Sequence, residues 1–443
     1  MQSEFQAKPK YRRTLKLVWF LSFCLLFWIT GCTTDLFLQT DSLSPLDSQS
    51  IALKPPTPFV TPSTTPIPSA TPPPTNTPIP PPTPVLGQPP FGYQLATLEE
   101  YWDGQAEWLL EVADTGLPIG ESETIHMGDN ELWSYLHASF QSAGVVDQCG
   151  TPVPFPGCTT LWQSHDGGHT FALENPVCLF SCQTCPCTND RDHIEQQQYP
   201  RVFIQDGMWF LVYENGALTY MRTSGNGLQW SNAQHIPGTG IWPLDYAHCN
   251  NLKRIGLHPN ILPENQVYDC LAGAPPGIFI EDNRIYVFVA LGQSPSHMGC
   301  FMGELGWETA VFQECNTQPL FSNTTGYGPV DQTGFAANPH FDFRFISSAD
   351  VVHVGDRYYM TYEGVRGPDN PAVGDTQFGL GIARSTTTQI DSPWETYSGN
   401  PIIMDLPGDV GVGHADLVLI GDATYLYTTT PEGTRGRYLL IHK

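Results

Sequence analysis

The chain has 443 residues, more than one ordinary domain needs, and its 44 acidic against 19 basic residues give a formal charge of −25. Such a surface repels phosphate backbones, so nucleic acid is excluded as a partner, while neutral ligands, sugars and cations remain open. No lipase-type elbow, phosphate loop or zincin helix occurs, which removes several other hydrolase classes.

The first element is a leader. Lys8, Lys10, Arg12, Arg13 and Lys16 precede an apolar run from Leu17 to Ile29, too short for a comfortable membrane span and flanked like a signal peptide. It ends Ile29-Thr30-Gly31-Cys32, which resembles the bacterial lipobox. The resemblance implies a signal peptide over 1–32, lipidation of Cys32, and an extracytoplasmic protein anchored at the cell surface through its lipid. Residues 33–90 follow, dominated from Lys54 by Pro and Thr; they cannot build a core and are expected to be a disordered, extended spacer. The folded domain is expected over 91–443.

The chain has 12 cysteines, and setting Cys24 and Cys32 aside leaves an even number, as an oxidising compartment favours. Cys149 with Cys158, Cys249 with Cys270, and Cys300 with Cys315 are plausible local pairs. Cys178, Cys182, Cys185 and Cys187 form a cluster for which two disulfides are favoured over zinc.

Hairpin patterns then recur five times: "MGDNELWSYLHA" (127–138), "IQDGMWFLVYEN" (204–215), "IEDNRIYVFVAL" (280–291), "HVGDRYYMTYEG" (353–364) and "LIGDATYLYTTT" (419–430). Each has an Asp-containing turn, then alternating aromatic and β-branched residues. The turn aspartates Asp129, Asp206, Asp282, Asp356 and Asp422 are almost evenly spaced, which suggests propeller blades. Third strands are expected at 159–168, 217–227, 299–307, 378–387 and 437–443, and fourth strands near Phe171, Trp230, Ala310 and Trp394. The fifth unit runs out of chain at Lys443. The unassigned run "EWLLEVAD" (107–114) would supply its outer strand and close the ring. The expected fold is therefore all-β: a five-bladed β-propeller closed by an N-terminal strand and preceded by the Pro/Thr-rich linker. "SHDGGHTF" (164–171) resembles the Asp-box of sialidases and other propellers, and "SGNGLQW" (224–230) is a degraded copy; both are read as structural turns.

Counting six residues back from each turn aspartate gives Glu123, Pro200, Pro276, Asp350 and Asp416. Equivalent positions on innermost strands converge on one mouth of the channel, so three blades aim a carboxylate at one place. Like charges held together are costly unless function or a cation requires them. Arg201 adjoins Pro200, and His414 stands two residues before Asp416.

From about Gly120 to Lys443 the sequence resembles the five-bladed propeller glycosidases, the architecture of glycoside hydrolase families 32, 43, 62, 68, 117 and 130. "GVGHADLVL" (411–419) is similar to a Gly-x-Gly-His element of family 43, which implies that His414 serves a central cation (Ca2+ or another) or water site; no cofactor is otherwise required. "YPRVFIQDGMWFLVYE" looks like the Asp-Pro-Arg element of family 130, with Tyr199 in place of the acid. "APPGIFIEDNRIYVF" resembles another Asp-Pro blade start, with Pro275 replacing the Asp. The implied activity is a surface-anchored glycoside hydrolase acting on an extracellular poly- or oligosaccharide. Such a reaction needs one carboxylic acid and a second carboxylate, and a third acid can raise the first one's pKa. Glu123 is expected as base, Asp350 as acid or its modulator, and Asp416 with His414 as the group that positions sugar or holds a cation. Glu363 is a reserve acid, and Arg201, His414 and Glu363 are expected to contact substrate. The expected assembly is a monomer. The alternative is a non-catalytic propeller lipoprotein that binds glycans or a protein, which the prolines at 200 and 275 favour.

Overall fold

The structure is a computed structural model that describes residues 85–154, 157–180, 185, 197–215, 218–236, 276–291, 297–305, 312–317, 319–322, 341–342, 345–366, 377–404 and 415–443. Cys32, Cys182, Cys187, Cys249, Cys270, Pro275, Ala310 and His414 lie outside them, as do the leader and nearly all of the spacer.

Strand β1 (Ala106–Val112) comes first, after a one-turn helix α1 (Leu98–Trp102). Blade one is β2 (Ser122–Gly128), β3 (Glu131–Ala138), a short α2 (Phe140–Ala143) and β4 (Cys158–Ser164). Blade two is β5 (Gln198–Gln205), β6 (Met208–Asn215), β7 (Leu218–Ser224) and β8 (Gln234–His235). Blade three holds β9 (Gly277–Glu281), β10 (Arg284–Leu291), β11 (His297–Glu304), β12 (Gln313–Glu314) and β13 (Phe321–Ser322). Blade four holds β14 (Phe345–Val354), β15 (Arg357–Arg366), β16 (Gln377–Ser385), β17 (Trp394–Thr396) and β18 (Ile403–Met404). Blade five is β19 (Asp416–Ile420), β20 (Ala423–Thr429) and β21 (Arg435–His442).

These are five antiparallel sheets, and the fifth has the order β1-β21-β20-β19. The expected closure is present: Ala106 faces His442, Glu107 faces Ile441 and Leu110 faces Tyr438, so the first strand covers the open edge of the last sheet. The first strands of the blades touch in the cyclic order β2, β5, β9, β14, β19 and back to β2, so they line the axis. Blade one differs from expectation at its outer edge. Near Phe171 there is only an isolated bridge, Gln163 to Ala172, because the chain turns away to the disulfide Cys158–Cys178.

The ring is held by apolar layers between neighbouring sheets. Tyr135 of blade one packs with Trp209, Leu211 and Tyr213 of blade two, whereas Phe210 and Val212 on the other face of β6 pack with Ile278 and Val287 of blade three. This is the period-2 alternation of the hairpin sequences, with both faces buried because each sheet has a neighbour on either side. Phe279, Tyr358 and Met360 join blades three and four; Leu380, Leu417 and Leu426 join four and five; Leu132, Tyr425 and Ile441 join five and one.

Both Asp-box turns are structural, as read. Asp166 accepts hydrogen bonds from the His169 and Thr170 amides at 3.0 and 2.9 Å, and Asn226 accepts from Leu228 and Gln229 at 3.0 and 2.9 Å. Each turn also docks on the preceding blade. Gly168 (φ 80°) leaves no room for a Cβ against Tyr427 of blade five, and Tyr135 of blade one donates to the Gly227 carbonyl at 2.9 Å.

The disulfides correct one expected pairing. Cys149 bonds to Cys185 and Cys158 to Cys178, rather than Cys149 to Cys158, while Cys300–Cys315 is as expected. Two of the clustered cysteines, Cys178 and Cys185, thus pair with cysteines of blade one instead of with each other. Among the described residues no helix is long and apolar enough to cross a membrane.

Candidate active site

Hairpin pairing defines which residues are equivalent. The fifth residue of each second strand faces Glu123, Arg201, Gly277, Asp350 and Asp416: the pairs are Tyr135–Glu123, Val212–Arg201, Phe288–Gly277, Thr361–Asp350 and Tyr427–Asp416. The equivalents in blades two and three are therefore Arg201 and Gly277, not Pro200 and Pro276. The turn explains the shift. Asp206 and Asp282 are the first residues of their two-residue turns, whereas Asp356 and Asp422 are second, after Gly355 and Gly421. In blade one a bulge between His126 and Gly128 makes up the difference. The position that looked like a lost acid carries the counter-charge. Gly277 carries no side chain because a Cβ there would lie 2.5 Å from the Ala349 carbonyl of blade four.

Arg201 is the centre of the cluster, with 3% of its side chain exposed. One guanidinium nitrogen donates to Asp416 Oδ1 at 3.0 Å and the Ser122 carbonyl at 2.7 Å and reaches Glu123 Oε2 at 3.4 Å. The other donates to Ser348 Oγ at 3.1 Å. Asp416 is fully enclosed; its Oδ2 accepts from Ser122 Oγ at 2.7 Å, Thr124 Oγ1 at 2.9 Å and Arg435 at 3.3 Å. Asp350, 6% exposed, accepts from the Leu417 amide of the next blade. Glu123 keeps 13% of its side chain open. The structure thus brings Glu123, Asp350, Asp416 and Arg201 together, four blades contributing one group each.

Burial sets the proton affinities. Removal from water pushes Asp350 up to about 6, with Arg201 pulling the other way and the Asp416 charge adding to the rise. Glu123 is raised well above the usual carboxylate range by burial and then by Asp350, which outweigh Arg201. Glu363 lies on β15 opposite Ser347 and is pushed up to about 7 by burial, against a hydrogen bond from Ser347.

One acid was not visible in the sequence reading. Glu214 of β6 occupies the place in blade two that Glu363 occupies in blade four: each is the seventh residue of its second strand, and each faces the residue before a bulge, Gln198 or Ser347. The doublets Tyr213-Glu214 and Tyr362-Glu363 carried the signal. Within those bulges Tyr199 (φ 54°) and Ser348 (φ 51°) adopt left-handed backbone, each two residues before a member of the cluster. Non-glycine residues rarely do so, and such conformations gather at functional sites. Tyr199 packs edge-on against His137, 5.9 Å between ring centres, and His137 Nδ1 lies 2.8 Å from Glu121.

Among the described residues no group of three or more His, Cys, Asp or Glu side chains is placed to hold a metal ion. The positive charges facing the acids are Arg201 and Arg435, so the described residues offer no cation cage. A cavity of about 510 Å³ lies at the periphery of blade one, lined by Ile119, Trp162, Leu173 and Thr434 among others, and includes none of the acids.

No protein-family model matches the chain, and no curated protein matches it. Solved structures do. An α-L-arabinanase of Cellvibrio cellulosa complexed with arabinohexaose is 12% identical, with a TM-score of 0.44, covering 74% of this chain and 92% of that one. An α-L-arabinofuranosidase of Podospora anserina in complex with cellotriose is 12% identical at a TM-score of 0.44, covering 76% and 97%. An endo-arabinase of Bacteroides thetaiotaomicron is 11% identical at 0.42, covering 76% and 97%. The five-bladed propeller itself is established by the strand pairing of this chain.

Proposed function

We propose that the chain is a glycoside hydrolase whose reacting groups are Glu123 and Asp350. The observation that supports this is a set of buried carboxyls with raised proton affinity held around one arginine at the channel. Hydrolysis of a glycosidic bond needs a protonated carboxyl to give its proton to the leaving oxygen and an ionised one to activate water or attack the anomeric carbon. Burial raises the proton affinity of both, Asp350 up to about 6 and Glu123 well above the usual carboxylate range, so this pair can keep one proton to give while the other carboxyl is ionised. Asp416 is enclosed by two hydroxyls and two guanidiniums and anchors Arg201 rather than reacting. The substrate is an extracellular poly- or oligosaccharide, and the leader would hold the enzyme at the cell surface through Cys32; Cys32→Ala then releases it from membranes.

The test is hydrolysis of a panel of aryl glycosides and plant polysaccharides by the purified protein. Turnover is expected to fall on both sides of neutrality, and Asp350→Asn is expected to lower it by on the order of a hundredfold or more with the fold intact. Glycan binding without turnover would refute the enzyme and make the acid cluster a recognition site.

A further inference from the structure

Two strands that carry none of the reacting acids nevertheless end at the site. Arg435 opens β21 and is fully enclosed, 0% exposed. Its guanidinium donates to the Gly120 carbonyl at 2.7 Å, Ser122 Oγ at 2.7 Å and Asp416 Oδ2 at 3.3 Å. Its own carbonyl accepts two hydrogen bonds from Thr115, one from the amide at 2.9 Å and one from Oγ1 at 2.8 Å. Thr115 lies just beyond β1 and is itself fully buried, and one residue before Arg435 the Thr434 hydroxyl donates to the Ala113 carbonyl at 2.6 Å. The closing strand therefore grips the backbone of Arg435 while its side chain grips the floor of the acid cluster.

We infer that Arg435 is a positioning residue of this site, through which closure of the ring by the N-terminal strand fixes the geometry of the acids; the inference rests on the reading of the cluster as a hydrolytic site. The path is continuous: Thr115 holds Arg435, Arg435 holds Asp416 and Ser122, Asp416 holds Arg201, and Arg201 reaches Glu123. A guanidinium suits this place because its planar fork serves a carbonyl, a hydroxyl and a carboxylate in different directions, which one ammonium does not. An enclosed arginine is costly to keep, and a mere space-filler would be replaced by apolar side chains without loss. Asp416 in turn needs both guanidiniums, since Arg201 takes Oδ1 and Arg435 takes Oδ2.

The experiment compares the parent with Arg435→Lys and Thr115→Val in the full chain. Thr115→Val removes only the hydroxyl that holds Arg435 and leaves every charge in place. For a glycoside that the parent cleaves, kcat is expected to fall by on the order of a hundredfold in Arg435→Lys, with KM within about twofold, because misplacement by about 1 Å is enough to do so. Thr115→Val should show a smaller loss of the same kind. Hydrogen exchange supplies a readout independent of turnover: amides of 120–124 and 415–417 should exchange at least tenfold faster in both variants, while β10 and β15 stay at the parental rate. Unchanged kcat and unchanged exchange at those amides overturn the inference. Equal acceleration everywhere also overturns it, because Arg435 then merely stabilises the fold. If the parent cleaves nothing, the hydrolase reading fails, and the exchange result alone decides whether ring closure positions the cluster. If Arg435→Lys does not fold, Thr115→Val carries both readouts.

Discussion

Glu363→Gln should stabilise the protein at alkaline pH and leave it almost unchanged in acid. Glu363 is 6% exposed, and burial pushes its carboxyl up to about 7, far above its value in an unfolded chain. A carboxyl raised by folding favours the native state while it is protonated. Its contribution is complete below the unfolded pKa near 4.5 and is lost as pH rises through about 7. The gap corresponds to about 3 kcal/mol, an upper figure because the site relaxes on ionisation. Glutamine has nearly the shape of the protonated acid and never ionises, so the variant escapes that loss. At pH 8 it should gain up to about 3 kcal/mol over the parent, and at pH 4.5 only a few tenths. At roughly 2 °C per kcal/mol for a fold of this size, the difference in Tm should be about 6 °C at pH 8 and close to zero at pH 4.5. Scanning calorimetry of both proteins at the two pH values measures it. If the variant is also the less active one, Glu363 belongs to the machinery and stability was given up for it. An identical Tm difference at both pH values, or a less stable variant at pH 8, would refute the reasoning.

Three other outcomes follow from the same contacts. Arg201→Met should cost about 3–5 kcal/mol in urea unfolding at pH 8 by leaving Asp416 and Glu123 without their shared cation, and distinctly less at pH 4.5, where Glu123, its proton affinity raised by burial, takes up a proton instead. Asp166→Ala should cost about 1 kcal/mol by freeing the His169 and Thr170 amides, with turnover unchanged. Peptide mapping without reduction should recover Cys149 joined to Cys185 and Cys158 joined to Cys178, and the double change Cys158→Ser with Cys178→Ser should lower stability by about 3 kcal/mol.

The repeat was legible because each hairpin encodes itself locally. A turn between two alternating runs specifies a pair of strands, and a fifth unit one strand short demanded the pairing now seen between Leu109 and Leu439. The position of the acids was legible too, but only to within one residue. Both types of turn, Asp129-Asn130 or Asp206-Gly207 on one hand and Gly355-Asp356 on the other, contain an aspartate, and sequence does not reveal which of the two places it takes. That slip hid Arg201 as the equivalent of Asp350. It also made blades two and three look like losses rather than a counter-charge and a close approach of backbone. Cys149 found Cys185 across a long excursion, not its near neighbour Cys158, because spacing along a chain does not measure distance across a blade edge. Glu214 stayed hidden because its partner position is recognised only once the bulges at Tyr199 and Ser348 align the two sheets.

The seam of the ring has a consequence in time. Blades one to four are assembled from hairpins whose strands follow one another closely, but Thr115 and Arg435 are 320 positions apart. As the chain is made from its N-terminus, β1 is the first of the described strands to appear and its partner β21 the last of them, so the earliest strand waits with an unpaired edge until β21 has emerged. Joining such distant segments is the slow kind of contact, paid in loop entropy before any pairing repays it. A chain cut short before Arg435 would therefore hold its local hairpins yet leave the inner ring unlocked and Asp416 with one guanidinium instead of two. The order of synthesis makes the floor of the acid cluster wait for the strand that is made after all the blades' hairpins.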